Sequence, residues 1–237
     1  SPLTQKQYLA AFKGILDLAA KKRLIPMNFA HDLAPVKRDT VPRGEKRDPF
    51  SQDQIREFFV SGFYAAAAQA KTPFAVDDDG WRFWLPLLTL FMGLRPNEAC
   101  QLVAADLKRT KTGTWYLDLV ETDDVLEDDG PPRKTLKTAS SRRRVPLHPE
   151  LAAIGFVGFV ETRKKVKDQR LFPSLKPNRY GNLAWYAMKR FNEAFLPKAL
   201  GLGPKQSFYS FRHSFRDALR RAEASEGAHQ SIEQQPQ

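Results

Sequence analysis

The sequence predicts a mainly α protein with a small antiparallel β-sheet, an α+β fold, and three observations carry that expectation. Apolar residues recur at helical spacing through most of the chain, and strand-like alternation is confined to one central portion. A charged, proline-bearing stretch with neither period separates a short N-terminal portion from the rest.

Residues 3 to 24 place Tyr8, Phe12, Ile15, Leu16 and Ala19 at helical spacing and Pro26 closes the run, so one long amphipathic helix is expected. Residues 36–49 read as a linker, dividing the chain into residues 1–35, the linker and a larger domain of residues 50–237. Ser51 suits the cap of a helix reaching Phe59, with Asp53 in its first turn. Residues 80 to 92, dense in Trp81, Phe83, Trp84, Leu85 and Leu88, are too apolar on every side for a surface helix and predict the core helix. Trp115, Leu117 and Leu119 alternate with Tyr116, Asp118 and Val120; residues 143 to 147 predict a second strand and Leu136 lies near a third. Helices are expected over 150–167, 182–200 and 211–222, the last capped by Ser210, followed by a polar tail without helical period.

With 237 residues, 42% of them hydrophobic, the chain can bury one good core. Its 38 Lys and Arg against 27 Asp and Glu give a net charge of +11, which favours a polyanionic partner without distinguishing DNA from RNA or anionic lipid. No apolar run approaches the roughly 20 residues that span a bilayer and no leader pattern opens the chain, so a soluble cytoplasmic protein is expected. The single cysteine, Cys100, excludes an internal disulfide and a cysteine-based zinc site, and predicts a buried structural thiol. The acidic runs at 77–79 and 123–129 lack the alternate-position spacing of a calcium loop and read as solvated loops.

Chemistry concentrates in three places. Arg95 lies in Gly93-Leu94-Arg95-Pro96-Asn97-Glu98, where Pro96 suits the first turn of a helix and Glu98 follows three residues later. His213 and Arg216 share a helix face in Ser210-Phe211-Arg212-His213-Ser214-Phe215-Arg216, with Phe211 and Phe215 supplying the buried side. Lys137 lies in a basic hairpin, with Lys134 as its rival should the register slip. Two arginines, a lysine and a histidine, without a carboxylate pair or a metal-ligand cluster, suit electrostatic stabilisation of a phosphoryl group. Plainer readings stand beside this one: a helix-terminal ion pair for Arg95, a solvated face for His213 and Arg216, a helix-stabilising charge for Glu98.

In that order, the Gly93 to Leu102 motif, Lys137-Thr138-Ala139-Ser140-Ser141-Arg142-Arg143-Arg144-Val145-Pro146-Leu147 and His213-Ser214-Phe215-Arg216 resemble the tyrosine recombinases, the phage-integrase family. The resemblance covers most of the chain, since Arg23-Leu24-Ile25-Pro26-Met27-Asn28 is similar to the end of that family's core-binding domain. It implies a tyrosine-recombinase-like catalytic domain preceded by a remnant of a helical core-binding domain. It implies that Arg95 and Arg216 grip the nonbridging oxygens of a scissile DNA phosphate, that Lys137 protonates the departing 5′-hydroxyl, and that His213 assists proton transfer or bonds the phosphate. Glu98 becomes an orienting residue. Arg142, Arg143 and Arg144, alternating along a strand, are expected to contact DNA backbone, and Lys164 and Lys165 either do the same or complement a helix dipole.

The implied partner is double-stranded DNA, held by a homotetramer on paired sites in a bacterial nucleoid or phage-infected cell, with no metal or other cofactor and no membrane. The family's nucleophile is a tyrosine downstream of the His-x-x-Arg motif, whereas all six tyrosines here (Tyr8, Tyr64, Tyr116, Tyr180, Tyr186, Tyr209) precede His213. The expectation is a catalytic domain incomplete at its C-terminus that holds a phosphodiester without cleaving it unaided. Two rivals remain: a noncatalytic DNA-binding protein that keeps the fold, and a relative of the type IB topoisomerases.

Overall fold

The computed structural model describes residues 2–36, 47–68, 80–119, 142–165 and 170–233. The chain divides into two compact units, Ser1–Lys46 and Arg47–Gln237. Lys137, Leu136 and both acidic runs lie outside the described residues.

Among its described residues the first unit is one helix, α1 (Pro2–Lys21), and the segment that returns along it. Asn28 fixes that return by donating from its side-chain amide to the Lys13 carbonyl (3.1 Å) and to the Asp17 carboxylate (2.6 Å). The helical period was legible, yet Tyr8, Phe12, Ile15 and Leu18 stand exposed.

The second unit is mainly helical around a small sheet. Helix α2 (Gln52–Val60) opens on a reciprocal cap: Ser51 Oγ accepts the Gln54 amide hydrogen (3.1 Å), and the Gln54 side chain accepts that of Ser51 (3.1 Å). Helix α3 (Gly62–Ala68) follows, and α4 (Trp81–Met92) then runs through the centre with Trp84, Leu85 and Leu88 fully buried. Gly93, at φ 59°, ends α4 in the left-handed region, and α5 (Pro96–Cys100) starts after it. Cys100 is buried, which pushes its thiol pKa up.

The sheet is an antiparallel meander of β1 (Leu107–Arg109), β2 (Trp115–Leu119) and β3 (Arg143–Pro146), with Leu117 facing Leu107 on one side and Val145 on the other. The strand expected near Leu136 lies outside the described residues, and β1 was not expected from the sequence. Only Leu107 of its three residues is buried, so it carries too little alternation to be seen in sequence. The helix expected over 150–167 is two helices, α6 (Pro149–Ile154) and α7 (Phe156–Lys164), because Gly155 at φ 104° turns the chain between them. The run 182–200 is helical as α8 (Ala184–Arg190), a π-helical segment Phe191–Phe195 and α9 (Leu196–Ala199).

The final helix, α10, runs from Tyr209 to Glu233, starting before and ending after the expected span. Ser210 lies inside its first turn, and its Oγ accepts the Ser207 amide hydrogen (3.1 Å) instead of capping from in front. Past Ala222 the residues are mostly helix formers and no proline occurs before Pro236, so the backbone has no cause to stop where the apolar face does.

Phe211 seats α10 in the core, with ring centroids 4.8 Å from Phe50, 5.0 Å from Phe58 and 5.4 Å from Phe208. One turn on, buried Ser214 accepts the Phe50 amide hydrogen (2.9 Å). Phe215 then closes on Gly93 so tightly that a Cβ there would lie 2.3 Å from its ring. This contact sets the approach of α10 to the α4–α5 turn.

Gly93→Ala should therefore combine left-handed strain with a clash against Phe215, costing about 2–5 kcal/mol in urea unfolding. Gly93→Ala/Phe215→Ala should cost less than the sum of the two single changes. Strict additivity would show that the ring and the glycine do not determine each other.

Candidate phosphate-binding site

Arg95 owes its place to its neighbours in sequence. Pro96 disfavours helical geometry at the residue before it, and Arg95 is extended, with φ −69° and ψ 144°, at the N-cap of α5. Glu98 then reaches back: its Oε2 accepts the Arg95 amide hydrogen (2.8 Å) and its Oε1 accepts from Arg95 Nη1 (2.6 Å). Asn97, between them, accepts the amide hydrogens of Leu183 (3.1 Å) and Ala184 (3.2 Å) at the start of α8, which anchors the short helix from its other side.

Glu98 holds a second arginine. Arg143 on β3 donates through Nη2 to Oε2 (2.8 Å) and through Nη1 to Oε1 (3.3 Å). Burial works to raise the Glu98 pKa, but the hydrogen bonds from Arg143 and from the amide and side chain of Arg95 prevail, and the carboxylate sits below its usual range. The side chain of Glu98 is 4% exposed, against 34% for Arg95 and 30% for Arg143. The cluster is thus a buried anion with two half-buried cations around it.

Arg212 joins them from α10. Burial lowers its pKa first, and the charge of Arg95 lowers it next, with Glu98 opposing and Arg143 and Arg216 adding to the depression. Its Nη1 is shut off from solvent and has no hydrogen-bond partner among the described residues. A guanidinium keeps its proton under ordinary conditions, so Nη1 remains a donor within this cluster. Sequence reading missed it. Tyr209-Ser210-Phe211-Arg212 and His213-Ser214-Phe215-Arg216 repeat the same Ser-Phe-Arg pattern one helical turn apart, and both arginines lie on one helix face. Only the depth of burial separates them: Arg216 is exposed, Arg212 is not.

The remaining expected residues fall as follows. His213 is half-buried, and its pKa is lowered by desolvation first and then by Arg216 and Arg47, with Arg212 contributing and Asp217 opposing. Arg47 reaches that neighbourhood by donating to Ser207 Oγ (2.7 Å) and lying over the Tyr209 ring (5.6 Å). Arg143, expected at the DNA backbone, instead faces Glu98, because strand alternation sends it to the side opposite Arg144. Arg144 is exposed, near Asp118 (3.9 Å) and over the Tyr116 ring (5.6 Å). Arg142 is also exposed. Lys164 pairs with Glu161 (2.7 Å), and Lys165 is exposed at the end of α7. Among the described residues no grouping of His, Cys, Asp and Glu could hold a metal ion. Nor is any helix there long and apolar enough to cross a membrane.

No protein-family model and no curated protein matches the chain. Solved structures do, and its fold is that of the tyrosine recombinases. The integrase of the Tn1549 transposon, in complex with circular intermediate DNA, aligns at a TM-score of 0.57 with 17% identity, over 94% of this chain and 67% of that one. The same integrase in complex with transposon right-end DNA aligns at 0.56 with 19% identity, over 92% and 66%. The chain spans about two thirds of the length of these structures.

The depressed His213 pKa has a stability consequence. A histidine held neutral by burial and cations contributes stability above its ordinary value near 6.5, and that contribution is lost as pH falls through the lowered folded value. Unfolding midpoints measured between about pH 7 and pH 5 should fall more steeply for the wild type than for His213→Gln, with the gap opening below the ordinary histidine range. Parallel pH profiles would show that His213 is not under this electrostatic load.

Proposed function

We propose that this chain is the phosphate-gripping portion of a site-specific DNA recombinase, an integrase that breaks and rejoins DNA by tyrosine-mediated transesterification. The observation that carries the reading is the convergence of Arg95 and Arg212, the latter with a buried Nη1 donor that meets no acceptor among the described residues, in a chain with the tyrosine-recombinase fold. Each can donate two parallel hydrogen bonds to a nonbridging phosphate oxygen pair and stay charged. In the reaction a tyrosine oxygen attacks phosphorus and loses its proton, the P–O5′ bond breaks, and the 5′-oxygen takes a proton from Lys137. The pentacoordinate transition state carries about one more negative charge than the diester, so cations fixed beforehand stabilise it more than the substrate.

Arg216, a single helical turn beyond Arg212, supports the grip, and His213 bonds the phosphate or moves the nucleophile's proton. The first unit serves within a helical DNA-binding domain, and four protomers act on paired duplex sites in the cytoplasm. The nucleophile is not among this chain's tyrosines: each precedes His213, Tyr64 is buried with its hydroxyl donated to the Phe83 carbonyl (3.0 Å), and Tyr209 lies under Arg47.

Titration of the chain against labelled duplex DNA at several salt concentrations tests the grip. Affinity should fall as salt rises, and Arg95→Ala and Arg212→Ala should each weaken binding by about tenfold or more, with Arg216→Ala costing only a few-fold. Affinity indifferent to salt would sink the phosphate reading; a larger loss from Arg216→Ala than from Arg212→Ala would return the principal role to Arg216. With a nicked suicide duplex the chain should form no covalent adduct, and an adduct mapped to Tyr209 would overturn the assignment of the nucleophile.

A further inference from the structure

We propose that Arg143 is a positioning residue: by occupying Glu98 from β3 it leaves the charge of Arg95 available to an anion and holds its guanidinium in place. This rests on the phosphate-binding reading above. Glu98 receives four donors, two from residue 95 and two from Arg143, which account for both carboxylate oxygens. Counting charges, Glu98 with Arg95 alone sums to zero, whereas Glu98 with both arginines leaves one positive charge, which adds to that of Arg212. Without Arg143 the buried carboxylate would keep hydrogen bonds from Arg95 alone among the described residues, with Arg212 acting on it only through its charge, and would draw the Arg95 guanidinium inward, away from a bound phosphate.

The geometry needs arginine. Arg143 engages the two oxygens through two nitrogens, a fork that a lysine cannot reproduce. Its position on β3 also matters, since Leu119 is its register partner on β2 and Lys137 lies just upstream in sequence. The bond to Glu98 therefore ties the strand that follows the Lys137 segment to the turn that carries Arg95.

The test is a set of variants, Arg143→Ala, Arg143→Lys, Arg144→Ala, Arg95→Ala and Glu98→Gln, read in two ways on the full chain. In duplex titration, Arg143→Ala should lose about tenfold in affinity. Arg95→Ala/Arg143→Ala should bind no worse than Arg95→Ala, and Glu98→Gln should restore binding to Arg143→Ala by removing the charge that captures Arg95. Arg144→Ala, on the opposite strand face, should show a small loss that adds to that of Arg95→Ala. In nitrogen-15 NMR without DNA, the Arg95 side-chain NH signal should shift in Arg143→Ala away from the solvent-exposed position, as a guanidinium held more tightly by the Glu98 carboxylate, and partly so in Arg143→Lys.

Additive losses for Arg95→Ala and Arg143→Ala would make Arg143 an ordinary backbone contact and overturn the proposal. So would an Arg95 signal unchanged in Arg143→Ala, or wild-type affinity and signal in Arg143→Lys. If Arg143→Ala does not fold, Arg143→Lys and the NMR arm decide the matter. Wild-type chain that showed no salt-sensitive binding would remove the phosphate reading, while the NMR arm would still judge the lock itself.

Discussion

The ionised carboxylate of Glu98, buried beneath two arginines, is the constraint around which the site is organised. A charge that deep in protein is costly unless it is paired and hydrogen-bonded, and here every donor it takes comes from a residue with another structural task. The Arg95 amide begins α5; the Arg95 guanidinium acts on Arg212; Arg143 belongs to the sheet. One carboxylate thereby joins the turn after the core helix to the small sheet, elements far apart in sequence, and its charge also attracts Arg212 on the last helix.

The arrangement is electrostatically loaded. Arg95, Arg143 and Arg216 all act on Arg212, and the single buried Glu98 offsets only a share of that repulsion. A phosphate entering the site would relieve it. Donors that are crowded before the ligand arrives have little reorganisation left to undergo, which is the condition under which they stabilise developing charge most effectively. The same crowding costs folding stability, as is common where function and stability compete.

Much of this could be read from the sequence, and the failures have physical causes. Arg95 and Glu98 were legible because Pro96 dictates the backbone before it and the i to i+3 spacing dictates the return bond. Ser51 was legible as a cap and residues 80 to 92 as the core helix. Arg212 was not, because a helix repeats its faces every turn and the Ser-Phe-Arg pattern occurs twice at that interval; periodicity gives the face but not the depth. Arg143 was assigned to a strand correctly, but alternation does not say which side meets a buried carboxylate from 45 residues away in sequence. The strand β1 was invisible because two of its three residues are exposed and charged.

What keeps four arginines at fixed separations is the neutral packing behind them. Phe211 packs among the rings of Phe50, Phe58, Phe59 and Phe208, Trp84 packs against Phe83, Phe156 and Phe159, and Phe215 fills the space over Gly93. Aromatic side chains have few rotatable bonds and large buried areas, so they resist small displacements better than a core of flexible aliphatics. Repulsion among the cations pushes α10 away from the α4–α5 turn, and the aromatic contacts oppose that push. The spacing between Arg95 and Arg212 is therefore a balance between charge and packing. A substitution in the apolar face of α10 would act on the proposed phosphate grip through this spacing even though it touches no charged group.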